Sequence, residues 1–127
     1  MKVLDIIKKA EDCFTGNGVS AETIKDAEIA LNLAFSEEYR AYLKKYAVVA
    51  INGHEITGIC ASKRLNVVDV TIEERASNDV PADWYVIEQS NIDGIVLWQA
   101  EDGAIYQTAP HVRAIWLCSS LAEYILM

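Results

Sequence analysis

Apolar positions recur at steps of three and four through the first part of the chain, and those steps define three amphipathic helices. Val3, Ile6, Ile7, Ala10, Cys13 and Phe14 share one face of the first helix, which the Gly16-Asn17-Gly18 cluster ends. Ser20 stands where an N-cap hydroxyl accepts a backbone N–H of the next turn, and Ile24, Ala27 and Leu31 follow on one face, so a second helix runs to about Leu31. Ser36 caps a third helix, Glu37 and Glu38 supply favourable first-turn charge, and Tyr39, Tyr42, Leu43 and Tyr46 form its buried stripe. Lys44 and Lys45 complement the dipole at its far end.

The pattern then shifts to short β-prone runs. Val48 to Ile51 and His54 to Ile59 flank Asn52-Gly53, a strong hairpin signal because both central residues of a type I′ turn need positive φ. Val67 to Ser77 is mixed: Val67, Val68 and Val70 favour a strand, Ile72 to Ala76 a helix, and the stretch is assigned to a short helix. Trp84 to Glu88, Ile95 to Gln99 and Ala104 to Thr108 are joined through Asp93-Gly94 and Asp102-Gly103, which predicts an antiparallel meander, continuous with the first hairpin if the sheet is single. Ser120-Leu121-Ala122-Glu123 matches a capping box and opens a last helix with Leu121, Tyr124 and Ile125 on its apolar face. The order of helices, strands and helix predicts an α+β fold with helices packed on one face of an antiparallel β-sheet.

The 127 residues suffice for one core, so positions 1–127 read as a single domain. The longest apolar runs fall far short of a membrane span, and Asp5, Lys8 and Lys9 interrupt any secretory h-region, so a cytoplasmic protein is expected. Cys13, Cys60 and Cys118 are odd in number and widely spaced, which predicts buried free thiols rather than a disulfide framework or a Cys-x-x-Cys site.

Eleven Lys and Arg against nineteen Asp and Glu leave a net charge of −8, which excludes a nucleic-acid-binding stripe. The excess is not spread evenly. Between Ala76 and Val112 lie six acids, Asp79, Asp83, Glu88, Asp93, Glu101 and Asp102, and no Lys or Arg. In a meander Asp93 falls at one end of the sheet, while Asp79, Asp83, Glu101 and Asp102 fall at the other, where the four are expected to cluster. Acidity for solubility is the competing explanation.

Catalytic signatures are sparse. His54 and His111 lack the spacing that holds zinc, and no metal or other cofactor is expected. Phosphate-binding glycine loops and the Gly-x-Ser-x-Gly elbow are missing from the sequence. A small enzyme in which a histidine activates Cys60 or Cys118 is one further reading. Trp84, Trp98 and Trp116 are expected in the core, each N–H finding a partner, rather than in a stacking platform.

The run Ile24-x-x-x-Glu28-x-x-Leu31-x-Leu33-x-x-Ser36-Glu37-Glu38-Tyr39-Arg40-x-x-Leu43-x-x-Tyr46 resembles the signature "I-x-x-x-E-x-x-L-g-x-x-L-P-x-x-Y-r-x-F-L-x-x-y-G" of the SUKH superfamily, which includes the yeast Smi/Knr cell-wall regulators and many bacterial immunity proteins. The resemblance continues through Val67 to Arg75, Trp84 to Glu88, the Asp-Gly turns and the closing helix from Ser120. Phe35-Ser36 replaces the usual Leu-Pro, and Ala47 stands where glycine usually follows the helix. The resemblance implies an α+β fold without catalytic residues and a bacterial protein that neutralises a cognate polymorphic-toxin domain, commonly a nuclease. It supplies no contact positions. The acids of the charged segment, Asp79, Asp83, Glu88, Asp93, Glu101 and Asp102, are therefore the candidate toxin-binding residues, suited to a basic partner. An adaptor or regulatory interaction module without a toxin is the alternative.

Overall fold

The N-terminal helix ends earlier than its apolar spacing predicts. In the computed structural model, which describes residues 2–127, α1 spans Val3–Lys9 and the chain is extended by Ala10. Cys13–Thr15 instead forms β1, paired antiparallel with β2, Val49–Ile51, so that Phe14 lies opposite Ala50. Charge explains the difference. A helix continued past Ala10 would set Glu11 and Asp12 against the negative end of its dipole, whereas the observed end leaves Lys8 and Lys9 in the last turn.

The next elements follow the predicted caps. α2, Ala21–Leu31, begins where Ser20 Oγ accepts the Thr23 N–H at 3.1 Å. α3, Glu37–Lys45, begins where Ser36 Oγ accepts the Tyr39 N–H at 3.0 Å. Tyr39, Tyr42 and Leu43 are fully buried, and Tyr46 is half-buried. Ala47 takes φ 64° after α3, so an alanine accepts the left-handed geometry that glycine supplies at lower cost. β2 and β3, His54–Ile56, form the expected hairpin, with φ 52° at Asn52 and 80° at Gly53.

A close backbone crossing follows. The Gly58 N–H donates to Leu65 O and the Gly58 carbonyl accepts the Val67 N–H, both at 2.8 Å. A Cβ at Gly58 would stand 1.6 Å from Ala47 O, so only glycine fits. A short 3-10 turn, Lys63–Leu65, leads into α4, Val67–Arg75, capped by Asn66 Oδ1, which accepts the Val68 and Asp69 N–H groups.

The meander comprises β4, Tyr85–Gln89, β5, Val96–Gln99, and β6, Ile105–Ala109, and it gains a strand the sequence did not announce, β7, Val112–Cys118. The β6–β7 connection is Pro110-His111, with His111 at φ 65°. A histidine in a position usually held by glycine or asparagine masks the turn. α5, Leu121–Ile125, is capped by Ser120 Oγ, which accepts the Glu123 N–H at 3.1 Å.

Pairing is β1-β2-β3 in one sheet and β4-β5-β6-β7 in the other, so the strands form two sheets rather than a single continuous one. Thr57 joins them: its N–H donates to Ile87 O and its hydroxyl to Val86 O, each at 2.8 Å. The larger core lies between the helices and the inner face, where Phe35 packs edge-on against Tyr39 and Tyr85 at 5.1 and 4.8 Å. A second core gathers Val70 of α4 with Trp84, Val86, Val96 and Trp98. The fold class is the mixed α+β arrangement expected, with helices before the meander and one after it.

Two tryptophans are buried as expected, and of the two it is Trp98 whose N–H has the expected partner. Trp98 is fully buried and its Nε1–H donates to Thr108 Oγ1 at 2.8 Å, and Trp84 is buried beside it. Trp116 is not buried: it is 59% exposed on the edge strand β7, which enters the larger core only at Leu117 and Cys118.

Candidate partner-binding cleft

At one end of the larger sheet, the approach to β4, the β5–β6 turn, the β7–α5 junction and the N-terminus of α3 enclose an open cleft of about 1110 Å³. A buried hydrogen-bond relay fixes these four segments to one another. Ser36 N–H donates to Tyr85 Oη at 3.0 Å, Tyr85 Oη–H donates to Gln99 Oε1 at 2.7 Å, and Gln99 Nε2 donates to Gly103 O and to Glu38 Oε1, both at 3.0 Å. Burial pushes the Tyr85 phenol well above its ordinary value, so it stays a donor. Glu38 completes the relay by accepting the Leu121 and Ala122 N–H groups at 2.7 and 2.9 Å, which places a carboxylate at the positive end of α5. The floor is thus rigid, each polar group in it having a partner.

The rim carries charge that the fold does not consume. Asp83, Glu101 and Asp102 line the cleft together with Glu37 and Glu38. Asp102 Oδ1 accepts the Ala104 N–H at 3.0 Å, which shapes the turn while the side chain stays exposed. Among the described residues, the carboxylates of Glu37, Asp83 and Glu101 engage in no hydrogen bond or ion pair. Among the described residues Arg40 is the one base in the lining, and Glu28 holds it through Nε and Nη2 at 3.0 and 2.7 Å. Trp84 and Tyr106, stacked at 4.1 Å with 16° between their planes, form part of the wall.

Three of the four acids expected together therefore meet. Asp79 does not join them. It lines a second cavity of about 740 Å³ with Gly94, His111 and the start of β7. The reason is the direction of α4, whose Glu74 bonds Gln89 Nε2 at 2.6 Å and so ends beside the far end of β4. Asp93 is exposed at that same far end, next to Gly94.

Glu88 is inside. Strict alternation would set it beside Val86, but the pairing shifts between Val86↔Trp98 and Glu88↔Leu97, a bulge that turns Glu88 to the face of Leu97. There Oε1 accepts from His54 Nδ1 at 2.9 Å and from Tyr124 Oη–H, and Oε2 accepts the Glu55 N–H at 2.8 Å. Burial, then the bond to Glu88, raises the Tyr124 phenol far above its usual range.

Cys60, Cys118 and His54 are engaged elsewhere, and His111 is exposed in the β6–β7 turn. Cys118 donates to Ser120 O at 3.5 Å and burial raises its thiol, the reverse of nucleophile activation. Cys60 donates to Ser62 O at 3.6 Å, and His54 is held by Glu88. Among the described residues no group of three or more His, Cys, Asp or Glu is placed to hold a metal ion, and no helix is long and apolar enough to cross a membrane.

Glu37 and the Trp84–Tyr106 pair are the rim features that sequence reasoning missed. Ser36-Glu37-Glu38 marks a helix start, but nothing in the sequence says that this start faces a turn more than sixty residues later.

Fold and cleft together define a small mixed α+β domain that opens an acidic depression onto solvent. The chain matches the SUKH_5 family model, described as SMI1-KNR4 cell-wall, over residues 2–116, and it belongs to the SUKH superfamily. Members of that superfamily are generally non-catalytic. No curated protein matches the chain with significance.

Proposed function

We propose that this protein is an immunity-type SUKH member that binds a basic toxin domain, of the nuclease kind, and neutralises it by steric and electrostatic masking. The observation that carries the reading is the unpaired rim of Glu37, Asp83 and Glu101, with Asp102, around a cleft whose only base is already held by Glu28. Carboxylates in this setting draw a cationic surface in at long range, and the stacked Trp84 and Tyr106 rings offer a face for a guanidinium. Exposed carboxylates also occupy the positions on a nuclease that substrate phosphates would take. Family membership supports a protein partner of this type.

Co-expression with a toxin domain encoded beside this chain tests the proposal. Wild type restores growth, and Glu101→Lys with Asp102→Lys slows association roughly tenfold at low salt and less at high salt. Failure of the wild type to restore growth overturns the immunity reading in favour of the adaptor. Rescue with unchanged association by the double variant moves the interface off the cleft.

A further inference from the structure

β7 is the free edge of the four-stranded sheet. Among the described residues it pairs with β6 on one side and with nothing on the other, whereas the opposite edge, β4, is covered by Thr57. It is also the longest strand, at seven residues, and every residue from Val112 to Trp116 is exposed, including Ile115 at 50% and Trp116 at 59%. Proteins blunt such edges with lysines, prolines, bulges or brevity. Within β7 Arg113 does so, and two register shifts against β6, between Val112 and Ile115 and between Trp116 and Cys118, interrupt the ladder, yet the exposed run from Val112 to Trp116 stays open.

Its charge surroundings are specific. The strand starts at the cavity lined by Glu74 and Asp79 together with its own Arg113, and ends at Ser119 and Ser120, in the rim of the cleft that holds Asp83, Glu101 and Asp102. An apolar strip with carboxylates at both ends is complementary to a strand that is apolar in the middle and basic at its termini. A second copy of this chain is disfavoured as occupant, since it would bring a net −8 against a net −8.

We infer that β7 docks an extended, basic-ended segment of a partner protein by adding it as a fifth strand to the sheet. Main-chain hydrogen bonds along the edge give affinity, Ile115 and Trp116, consecutive and so on opposite faces of the sheet, each meet a side chain of the added strand, and the two acidic ends set the register. The basic character of the segment rests on the reading of this protein as a binder of basic domains; the strand-addition geometry stands on β7 alone.

The test is selection of random peptides, long enough to span the strand, against the full chain, followed by amide hydrogen exchange on each complex. The expected result is peptides with lysine or arginine near both ends that slow exchange in β7. Their affinity falls at least tenfold on Ile115→Lys or Trp116→Lys, both exposed and harmless to folding, and falls further on Glu101→Lys with Asp102→Lys. Basic peptides that protect the cleft alone and ignore Ile115→Lys overturn the strand addition while leaving the basic-partner reading intact. Peptides that protect β7 but carry no bases and ignore the charge reversals overturn the stated partner chemistry, and with it support for that reading. Concentration-dependent protection of β7 without peptide assigns the edge to a second copy and overturns the inference, as does recovery of no binding peptide.

Discussion

Replacing Glu88 with glutamine separates a carboxylate that builds the core from those that face a partner. Its two oxygens accept three hydrogen bonds, from His54, Tyr124 and the Glu55 N–H. An amide has one oxygen. With that oxygen kept on His54 and Tyr124, the new NH₂ points at the Glu55 N–H, donor against donor. The lost bond to a charged acceptor is worth about 1.5–3 kcal/mol, and the two surviving bonds weaken as their acceptor becomes neutral. Burying a neutral amide in place of a charge returns part of this. The net loss is roughly 2–3 kcal/mol, a large share of a stability of about 5–15 kcal/mol, and it lowers the melting temperature by roughly 6–12 °C. Urea unfolding followed by circular dichroism and tryptophan fluorescence measures it. A cycle with Tyr124→Phe isolates the pair, with an expected coupling of about 1 kcal/mol. Asp83→Asn, at a side chain with no partner, stays within about 0.5 kcal/mol of wild type. A loss below about 0.5 kcal/mol for Glu88→Gln would mean that the carboxylate is not held by these three donors and would refute its place in the core.

Alkali unfolds the chain cooperatively. The phenols of Tyr39, Tyr42, Tyr85 and Tyr124 are held, chiefly by burial, well above the ordinary value of 10.0, so the folded state keeps protons that the unfolded chain releases. Stability is therefore complete below pH ~10 and falls above it, by up to about 1.4 kcal/mol per pH unit for each tyrosine. Tyrosinate absorbance for these four rises together with loss of circular dichroism; a separate, earlier rise counts against it. Alkylation at neutral pH followed by mass spectrometry finds Cys118 the slowest thiol and half-buried Cys60 faster, because burial raises Cys118; equal rates contradict this. Gly58→Ala forces a Cβ within 1.6 Å of a carbonyl and costs more than about 2 kcal/mol, whereas Gly53→Ala meets no atom and costs about 1 kcal/mol for its positive φ alone, both read by urea unfolding.

Legibility followed the range of the forces involved. The caps at Ser20, Ser36 and Ser120 and the Asn52-Gly53 turn depend on a few adjacent residues, and each is found where the sequence predicts. β1 was hidden because Cys13 and Phe14 also continue a helical period, and the choice was made by a distant strand, β2, offering its edge. β7 was hidden because His111 does the work of a glycine. In the site, Asp83, Glu101 and Asp102 were legible as neighbours from meander geometry alone. Glu88 and Asp79 were not, since one depends on a bulge and the other on which way α4 runs across the sheet.

These displacements change what the acidic segment can do. The sequence counts six unopposed acids between Ala76 and Val112, but the bulge withdraws Glu88, and α4 carries Asp79 to the end where Asp93 lies. What remains is a group at the cleft, which Glu37 from α3 joins, and a smaller group at the far end of the sheet. Strands of four to seven residues separate the two ends by roughly 13–23 Å at about 3.3 Å per residue. The Debye length at physiological salt is about 8 Å, so the two groups act independently on anything small. A single cationic side chain feels one of them. Only an extended partner feels both at once, and the element that connects them is β7.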